Sequence, residues 1–210
     1  MTILWMAHQA QFHAAAWSGY GLQHNCCGGT TTMPEVFSRT LASVSSAYDY
    51  YNNNAWAFGS WVPDALIVNL GTNDVSSGEY NETSFAAAYV DLCLNVSSLY
   101  ASAAGGEGIT LFLACGPMSD VYCGGVHLAL DQLAALKTAS ATATASPHAK
   151  SRTATTERAS QPLPRAAYFL DQTNVSSVSL NCCGHPSTSD DVAMATSSGA
   201  FIMNAMGWEN

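Results

Sequence analysis

The run Ala-Leu-Ile-Val-Asn-Leu-Gly-Thr-Asn-Asp, residues 65–74, decides the fold. Its first six residues are almost continuously apolar, which is typical of a strand buried on both faces of a parallel sheet. Gly71 then lets the chain turn sharply, and Asn73 follows directly. The run therefore predicts a buried parallel strand that ends in a polar turn.

Further strands and helices alternate along the chain on both sides of this run. We predict strands over residues 12–17, 109–114 and 168–171, and helices over residues 34–47, 84–104, 126–136 and 190–206. This alternation favours an α/β fold with a parallel sheet. Such sheets carry their functional sites in the loops that follow the carboxyl ends of the strands.

The length of 210 residues suits a single domain, and we assign residues 1–210 to one. The net charge of −9 argues against a nucleic-acid partner, because phosphate binding needs a basic surface. No apolar run is long enough to span a membrane. Residues 137–165 are basic and of low complexity, and they predict either a disordered insertion or a gene-model error such as a translated intron.

Two features of the composition indicate an extracellular protein. The chain has seven cysteines, and it has N-glycosylation sequons at Asn81, Asn95 and Asn174. The opening residues lack the pattern of a signal peptide. We therefore expect a secreted full-length protein whose leader precedes this sequence.

The cysteines do not have the spacing of a metal site. Residues 26–27 and 182–183 are adjacent pairs rather than C-x-x-C motifs, so we predict no metal, and no cofactor motif is present. Cys115 and Cys123 flank a short loop and could form a disulfide, whereas the remaining pairing cannot be read from the sequence.

Two residues could carry acyl-transfer chemistry. The Asn73 amide could stabilise an oxyanion at the end of its strand, although Asn-Asp after a strand is also ordinary turn chemistry. His185, in the run Cys-Cys-Gly-His-Pro, could deprotonate a hydroxyl and later protonate a leaving alcohol. Taken alone, a single histidine beside a proline is a weak signal and is typical of a loop histidine.

The order and spacing of these motifs resemble the SGNH (GDSL-like) hydrolases. The resemblance is closest to carbohydrate esterase family 2, whose members remove acetyl groups from plant polysaccharides. It rests on the segments Trp17–Gly21, Trp56–Asp74, Cys115–Met118, Gly184–Ser187 and Met206–Trp208. It covers residues 8–136 and 166–208.

The resemblance implies a three-layer, flavodoxin-like fold and a set of catalytic roles. Gly19 matches the glycine whose backbone N–H points into the oxyanion hole, Asn73 its side-chain donor, and His185 the catalytic base. The expected substrate is an acylated carbohydrate or a small ester, with acetyl as the expected acyl group. Trp56 and Trp61 could flank a sugar, or they could pack in the core beside the sheet.

The sequence departs from this family in its first block. The family's first strand ends in Gly-Asp-Ser, whose serine is the nucleophile, and this chain contains no such run. Ser18 stands where the family supplies a hydrogen-bond donor, so it is a poor replacement. We predict an N-terminal truncation that removes the first strand, and we expect the chain alone to fold poorly because two sheet edges lose their partner.

A second departure concerns the group that orients His185. Many family members carry an aspartate two or three residues earlier, where this chain has Cys182 and Cys183. Either a backbone carbonyl orients the imidazole in a Ser–His dyad, or the site is inactive; the sequence does not place Asp190 or Asp191 near the ring. Besides an esterase, the sequence thus allows an inactive SGNH-like module that binds glycan or protein, or a non-functional gene-model fragment.

Overall fold

Three parallel strands form the sheet of the protein, as seen in a computed structural model that describes residues 10–44, 54–106, 108–145, 161–175 and 184–208. The strands are β1 (Ala65–Val68), β2 (Thr110–Cys115) and β3 (Ala166–Asp171), in the order β1-β2-β3. Both pairings are parallel. The predicted α/β fold with a parallel sheet is confirmed.

Helices connect and cover these strands. They are α1 (Met33–Phe37), α2 (Thr72–Ser76), α3 (Glu82–Ala101), α4 (Cys123–Ala145) and α5 (Thr188–Met206), together with a 3₁₀ turn over Phe58–Ser60. Helices α2 and α3 lead from β1 to β2, and α4 leads from β2 to β3. No helix in the described ranges is long and apolar enough to cross a membrane.

The sheet is covered on both faces, which gives three layers. Every residue of β2 is buried. Leu111 and Leu113 pack into the core formed with α3 and α4, whereas Phe112 and Ala114 pack into a second core with α5. Successive side chains of a strand point to opposite faces, so the apolar run of β2 matches a strand buried on both sides.

Helix α3 is fixed at its start and against the strand. The side chain of Asn81 caps it by accepting a hydrogen bond of 3.0 Å from the backbone N–H of Ser84. Farther along, the Tyr89 hydroxyl donates to the carbonyl of Val68 over 3.1 Å. This bond secures the buried face of α3 to the end of β1.

The predicted helix over residues 34–47 is wrong in its extent. Helix α1 ends at Phe37, and Arg39 forms an antiparallel bridge with Ala55. The Asn54 side-chain amide then forms hydrogen bonds with the backbone of Leu41 and with the carbonyl of Val44. These hydrogen bonds compete with the backbone hydrogen bonds of a helix. Residues 45–47 lie outside the described residues.

The predicted strand over residues 12–17 is also wrong. Residues 11–16 have no regular secondary structure, and their side chains are exposed. A strand is stable only beside a hydrogen-bonded neighbour, and no described residue forms a backbone hydrogen bond with residues 11–16.

Helix α4 extends into the stretch predicted as an insertion. It continues to Ala145, and the Lys137 ammonium donates to the carbonyl of Arg165 over 2.8 Å. Residues 146–160 lie outside the described residues, so the insertion over 137–165 stays a prediction.

Candidate active site

The turn after β1 depends on a glycine. Gly71 has φ of 139°, and a Cβ at this position would overlap the ring of Tyr122. Any side chain would therefore meet both backbone strain and a steric clash. This turn places Asn73 in the first turn of α2, at the carboxyl end of the sheet.

Asn73 joins this turn to the loop formed by residues 17–26, here called the Gly19 loop. The Asn73 Nδ2 donates to the carbonyl of Tyr20 over 2.8 Å, which leaves its second amide hydrogen for another acceptor. Gly19 has φ of 79°. No hydrogen bond links its N–H to another described residue. The structure thus sets Asn73, at the start of α2, against the residue that follows Gly19, with a backbone donor and a side-chain donor available.

A buried carboxylate, which the sequence analysis overlooked, holds the Gly19 loop in place. Asp74 is 1% exposed. Its two oxygens accept hydrogen bonds from the backbone N–H groups of Leu22 at 2.9 Å, Gln23 at 2.7 Å and His24 at 3.0 Å. Successive N–H groups of this kind form an anion-binding nest. A carboxylate beside a buried strand, with no basic residue nearby in the sequence, could have indicated such donors.

Asn25 supports the same loop from within. Its Oδ1 accepts from the N–H of Gly21 at 3.0 Å, and its Nδ2 donates to the carbonyls of Gly29 and Thr31. Asn25 is buried, so these bonds replace its bonds to water. Asp74 and Asn25 together fix the backbone that follows Gly19.

A polar network ties together the carboxyl ends of all three strands. The Asn69 Nδ2 donates to the Gly116 carbonyl and to the Gln172 Oε1, both at 3.0 Å. The Tyr122 hydroxyl lies 3.0 Å from the Asn69 Oδ1, and the Gln172 amide donates to the Ser198 hydroxyl on α5 over 3.1 Å. Burial raises the pKa of Tyr122, which keeps its hydroxyl protonated. The network thus cross-links the ends of the three strands and joins them to α5.

His185 lies at the same end of the sheet but is held far less firmly. It is exposed and precedes the cap of α5, where Ser187 and Asp190 form a capping box. No hydrogen bond joins the His185 ring to another described residue, Ser18 included. Ser198 contacts Gln172 just after β3, whereas Phe201, farther along α5, contacts Tyr168 within β3, so the start of α5 lies beyond the carboxyl end of this strand. Cys182 and Cys183 lie outside the described residues.

Trp56 and Trp61 lie outside the two hydrophobic cores. The ring of His13 stacks on Trp61, with centroids 4.2 Å apart, and meets Trp56 edge-on at 5.6 Å. Both tryptophans are partly exposed. They form an aromatic surface with His13.

The cysteines form two disulfides among the described residues. Cys115 and Cys123, for which the sequence left a disulfide open, are bonded, which joins the end of β2 to the start of α4. Cys26 and Cys27 are bonded to each other within the Gly19 loop. Cys93 is free and buried. The described part of the chain contains no cluster of three or more His, Cys, Asp or Glu residues that could hold a metal ion.

Known proteins resemble this chain in sequence and in structure. The cellulase/esterase CelE of Acetivibrio thermocellus is 31% identical over 112 residues, which make up 52% of this chain and 12% of that protein. A family two carbohydrate esterase from Clostridium thermocellum, solved in complex with cellohexaose, superimposes with a TM-score of 0.65 at 25% identity. That match covers 99% of this chain and 54% of the other.

A second solved structure has the same fold. It is a carbohydrate esterase family 2 enzyme with a carbohydrate-binding domain from Corynascus thermopiles (Myceliophthora fergusii), with a TM-score of 0.61 and 24% identity over 98% of this chain and 56% of that one. No protein-family profile matches the chain. The chain spans about half the length of these solved proteins. The comparisons confirm the resemblance to SGNH-type esterases of carbohydrate esterase family 2.

Proposed function

We propose that this chain supplies the oxyanion-binding donors and the catalytic base of an esterase that removes acyl groups, chiefly acetyl, from carbohydrate. The observation that carries the proposal is the 2.8 Å bond between the Asn73 Nδ2 and the Tyr20 carbonyl, which sets Asn73 against the Gly19 loop. Two neighbouring donors at the carboxyl end of a parallel sheet suit a developing oxyanion. The relatives' names include esterases and carbohydrate esterases, which supports the same reaction class.

In this mechanism a serine hydroxyl attacks the ester carbonyl while His185 accepts its proton. The Gly19 N–H and the Asn73 amide stabilise the oxyanion of the tetrahedral intermediate. His185 then protonates the sugar oxygen as it leaves, and water hydrolyses the acyl-enzyme by the same steps in reverse. The serine belongs to a Gly-Asp-Ser block, which this sequence does not contain.

The test joins a strand that ends in Gly-Asp-Ser to the N-terminus of the full chain. We expect the extended protein to hydrolyse p-nitrophenyl acetate. Asn73→Ala should lower kcat by about 10²–10³-fold, the scale of losing one oxyanion donor. His185→Ala should abolish turnover. His127→Ala, at an exposed histidine on α4, is the matched control and should leave kcat unchanged. An unchanged rate in Asn73→Ala would remove Asn73 from the mechanism.

Glycan binding without catalysis is a second candidate, favoured by the surface of His13, Trp56 and Trp61. Partly exposed aromatic rings suit stacking against sugars, and one solved relative is in complex with cellohexaose. Titration of the unmodified chain with cellohexaose should then quench tryptophan fluorescence, and Trp61→Ala should weaken binding. Leu41→Ala, at another exposed apolar side chain, should bind normally. Saturable binding without hydrolysis by the extended protein would favour this candidate over the esterase.

Secretion is part of the proposal. The sequon residues Asn81, Asn95 and Asn174 are all exposed, and a disulfide joins Cys115 to Cys123. Disulfides persist in oxidising compartments, and N-glycans are added there. Expression through a eukaryotic secretory pathway should give glycoforms that an endoglycosidase collapses to one band. A protein that enters this pathway and stays unglycosylated would count against the proposal.

A further inference from the structure

The two disulfides among the described residues close rings of very different size. Cys115 and Cys123 are 8 positions apart in the chain, whereas Cys26 and Cys27 are neighbours. The restriction that a disulfide places on the unfolded chain grows with the number of residues in the ring. A bond between adjacent residues restricts little beyond the peptide unit that they share. Its effect is therefore local, on the conformation of the Gly19 loop.

The disulfide between Cys26 and Cys27 lies directly against Gly19. The Cys26 N–H donates a hydrogen bond of 3.1 Å to the Gly19 carbonyl. The Cys26 Sγ is so near that a Cβ on Gly19 would lie 3.3 Å from it. Cys26 thus holds the glycine through its backbone and through its sulfur. Because the disulfide closes a small ring around the peptide unit of residues 26–27, it fixes both of these contacts.

Other parts of the same loop are held without the disulfide. The Asp74 carboxylate accepts hydrogen bonds from the backbone N–H groups of residues 22–24. The buried side chain of Asn25 accepts from the Gly21 N–H and donates to the Thr31 carbonyl. None of these bonds involves a cysteine. Breaking the disulfide should therefore loosen Gly19 and Cys26 within a loop that stays folded.

The two disulfides also differ in their access to solvent. Cys27 is exposed and Cys26 is partly exposed, whereas Cys115 is buried and Cys123 is partly exposed. The space beside the next residue, Gly28, is open, since a Cβ there would meet no atom within 4 Å. Thiol–disulfide exchange requires that a thiolate reach one of the bonded sulfurs. A reductant should thus reach the Cys27 sulfur first.

We propose that the disulfide of Cys26 and Cys27 is a redox-modification site that a dithiol reduces, and that its reduction releases Gly19. One thiolate of the dithiol attacks the Cys27 Sγ, and the S–S bond breaks. The Cys26 sulfur leaves with the electron pair and takes up a proton. The second thiol of the reductant, as a thiolate, attacks the mixed disulfide and releases Cys27, which is protonated in turn. The dithiol is thereby oxidised to a disulfide, and the protein gains its electrons and protons.

Hydrogen exchange of the full chain, followed by NMR before and after mild treatment with dithiothreitol, tests the proposal. After reduction the Cys26 N–H should exchange roughly tenfold faster, the scale of losing one hydrogen bond. The N–H groups of residues 22–24 should keep their rates, because the Asp74 carboxylate still holds them. Alkylation followed by peptide mass spectrometry should find Cys26 and Cys27 modified before the cysteines of the other disulfide.

The double variant Cys26→Ser/Cys27→Ser is the matched control. Its residue 26 should exchange as in the reduced protein, and dithiothreitol should not change that rate. Earlier reduction of Cys115 and Cys123, or an unchanged rate at Cys26 after reduction, would overturn the proposal. An equal acceleration at residues 22–24 would also overturn it, because the disulfide would then hold the whole loop.

The consequence for catalysis rests on the proposed function, whereas the release of Gly19 does not. In the protein extended by a strand that ends in Gly-Asp-Ser, reduction should lower kcat for p-nitrophenyl acetate roughly tenfold, as a partial loss of one oxyanion donor. The double variant should show no such response to dithiothreitol. Faster exchange at Cys26 with an unchanged kcat would support the redox site and count against Gly19 as an oxyanion donor.

Discussion

The two halves of the candidate active site are held in different ways. The half with Asn73 is fixed by a glycine turn, a buried carboxylate and a link to the Gly19 loop. The half with His185 is exposed, and its ring makes no hydrogen bond with the described residues. An oxyanion hole must be ordered before its substrate arrives, since its effect comes from preorganised donors. The hydrogen bonds of a proton-transferring histidine can tighten when the enzyme–substrate complex forms. Mutations should therefore affect the two halves unequally.

The largest loss of stability is expected from Gly71→Ala. A Cβ here would clash with the ring of Tyr122, and φ is 139°. Strain and overpacking together should lower the free energy of unfolding by about 4 kcal/mol. Gly78→Ala is the matched control, because Gly78 also has positive φ but open space around it, and it should cost about 1 kcal/mol. Urea unfolding measures the free energy of unfolding of both variants. Equal losses would mean that the clash with Tyr122 does not contribute to the effect of Gly71→Ala.

The second-largest loss of stability is expected from Asp74→Ala. This change leaves the backbone N–H groups of Leu22, Gln23 and His24 without their acceptor. We expect a loss of about 3 kcal/mol in the free energy of unfolding. Hydrogen exchange should also become faster at residues 22–24. Asp64→Ala, at an exposed carboxylate, should change neither quantity. Unchanged protection of residues 22–24 in Asp74→Ala would show that other contacts order the loop.

Alkaline pH should weaken the core beneath the ordered half. Burial raises the pKa of Cys93 to about 12, and burial also raises the pKa of Tyr89. An unfolded cysteine ionises near about pH 8.5, so the folded state holds its proton more tightly. Below that pH, the protonated Cys93 thiol contributes its full stabilisation to the folded state. It falls by about 1.4 kcal/mol per pH unit as the pH rises from there towards 12.

Urea unfolding across a pH series tests this. Cys93→Ala should flatten the curve between about pH 9 and pH 10, below the pH at which the buried tyrosines begin to contribute. The tyrosine contribution begins near about pH 10 and should persist in that variant. An identical slope in both proteins would contradict the assignment to Cys93.

The smallest effect on stability is expected from His185→Ala. The side chain is exposed and precedes the cap of α5, so the free energy of unfolding should change by less than about 0.5 kcal/mol. In the protein extended by a strand that ends in Gly-Asp-Ser, the same variant should be inactive as an esterase. A stability loss comparable with that of Asp74→Ala would show that both halves are equally rigid.

Much of the fold could be predicted from the sequence, because buried parallel strands leave a strong signal. The apolar runs around Leu66, Leu111 and Phe169 gave the three strands of the sheet. The prediction of a strand over residues 12–17 was wrong because a strand needs a neighbouring strand, which the segment's own residues do not specify. Helix α1 ended early because the Asn54 side chain bonds the backbone of Leu41 and Val44, a tertiary contact that periodicity does not record.

The site was predicted in part. Gly19 and Asn73 were singled out, and the structure places Asn73, at the start of α2, against the Gly19 loop, while their catalytic roles and that of His185 stay predictions. Asp74 was overlooked, since its partners are backbone N–H groups and a sequence shows side chains only. The network around Asn69 joins residues far apart in the chain, so neither spacing nor composition could reveal it.

The cap of α3 also determines what else Asn81 can carry. The helix uses the Oδ1 of this side chain, which accepts from the Ser84 N–H, whereas an N-linked glycan attaches to Nδ2. The capping hydrogen bond and the bond to the glycan involve different atoms of Asn81, so a sugar would leave the first turn of the helix intact. The Ser84 hydroxyl lies 3.4 Å from the Gln23 side chain, which places this attachment point beside the Gly19 loop. A glycan there would shield the Gly19 loop from proteases.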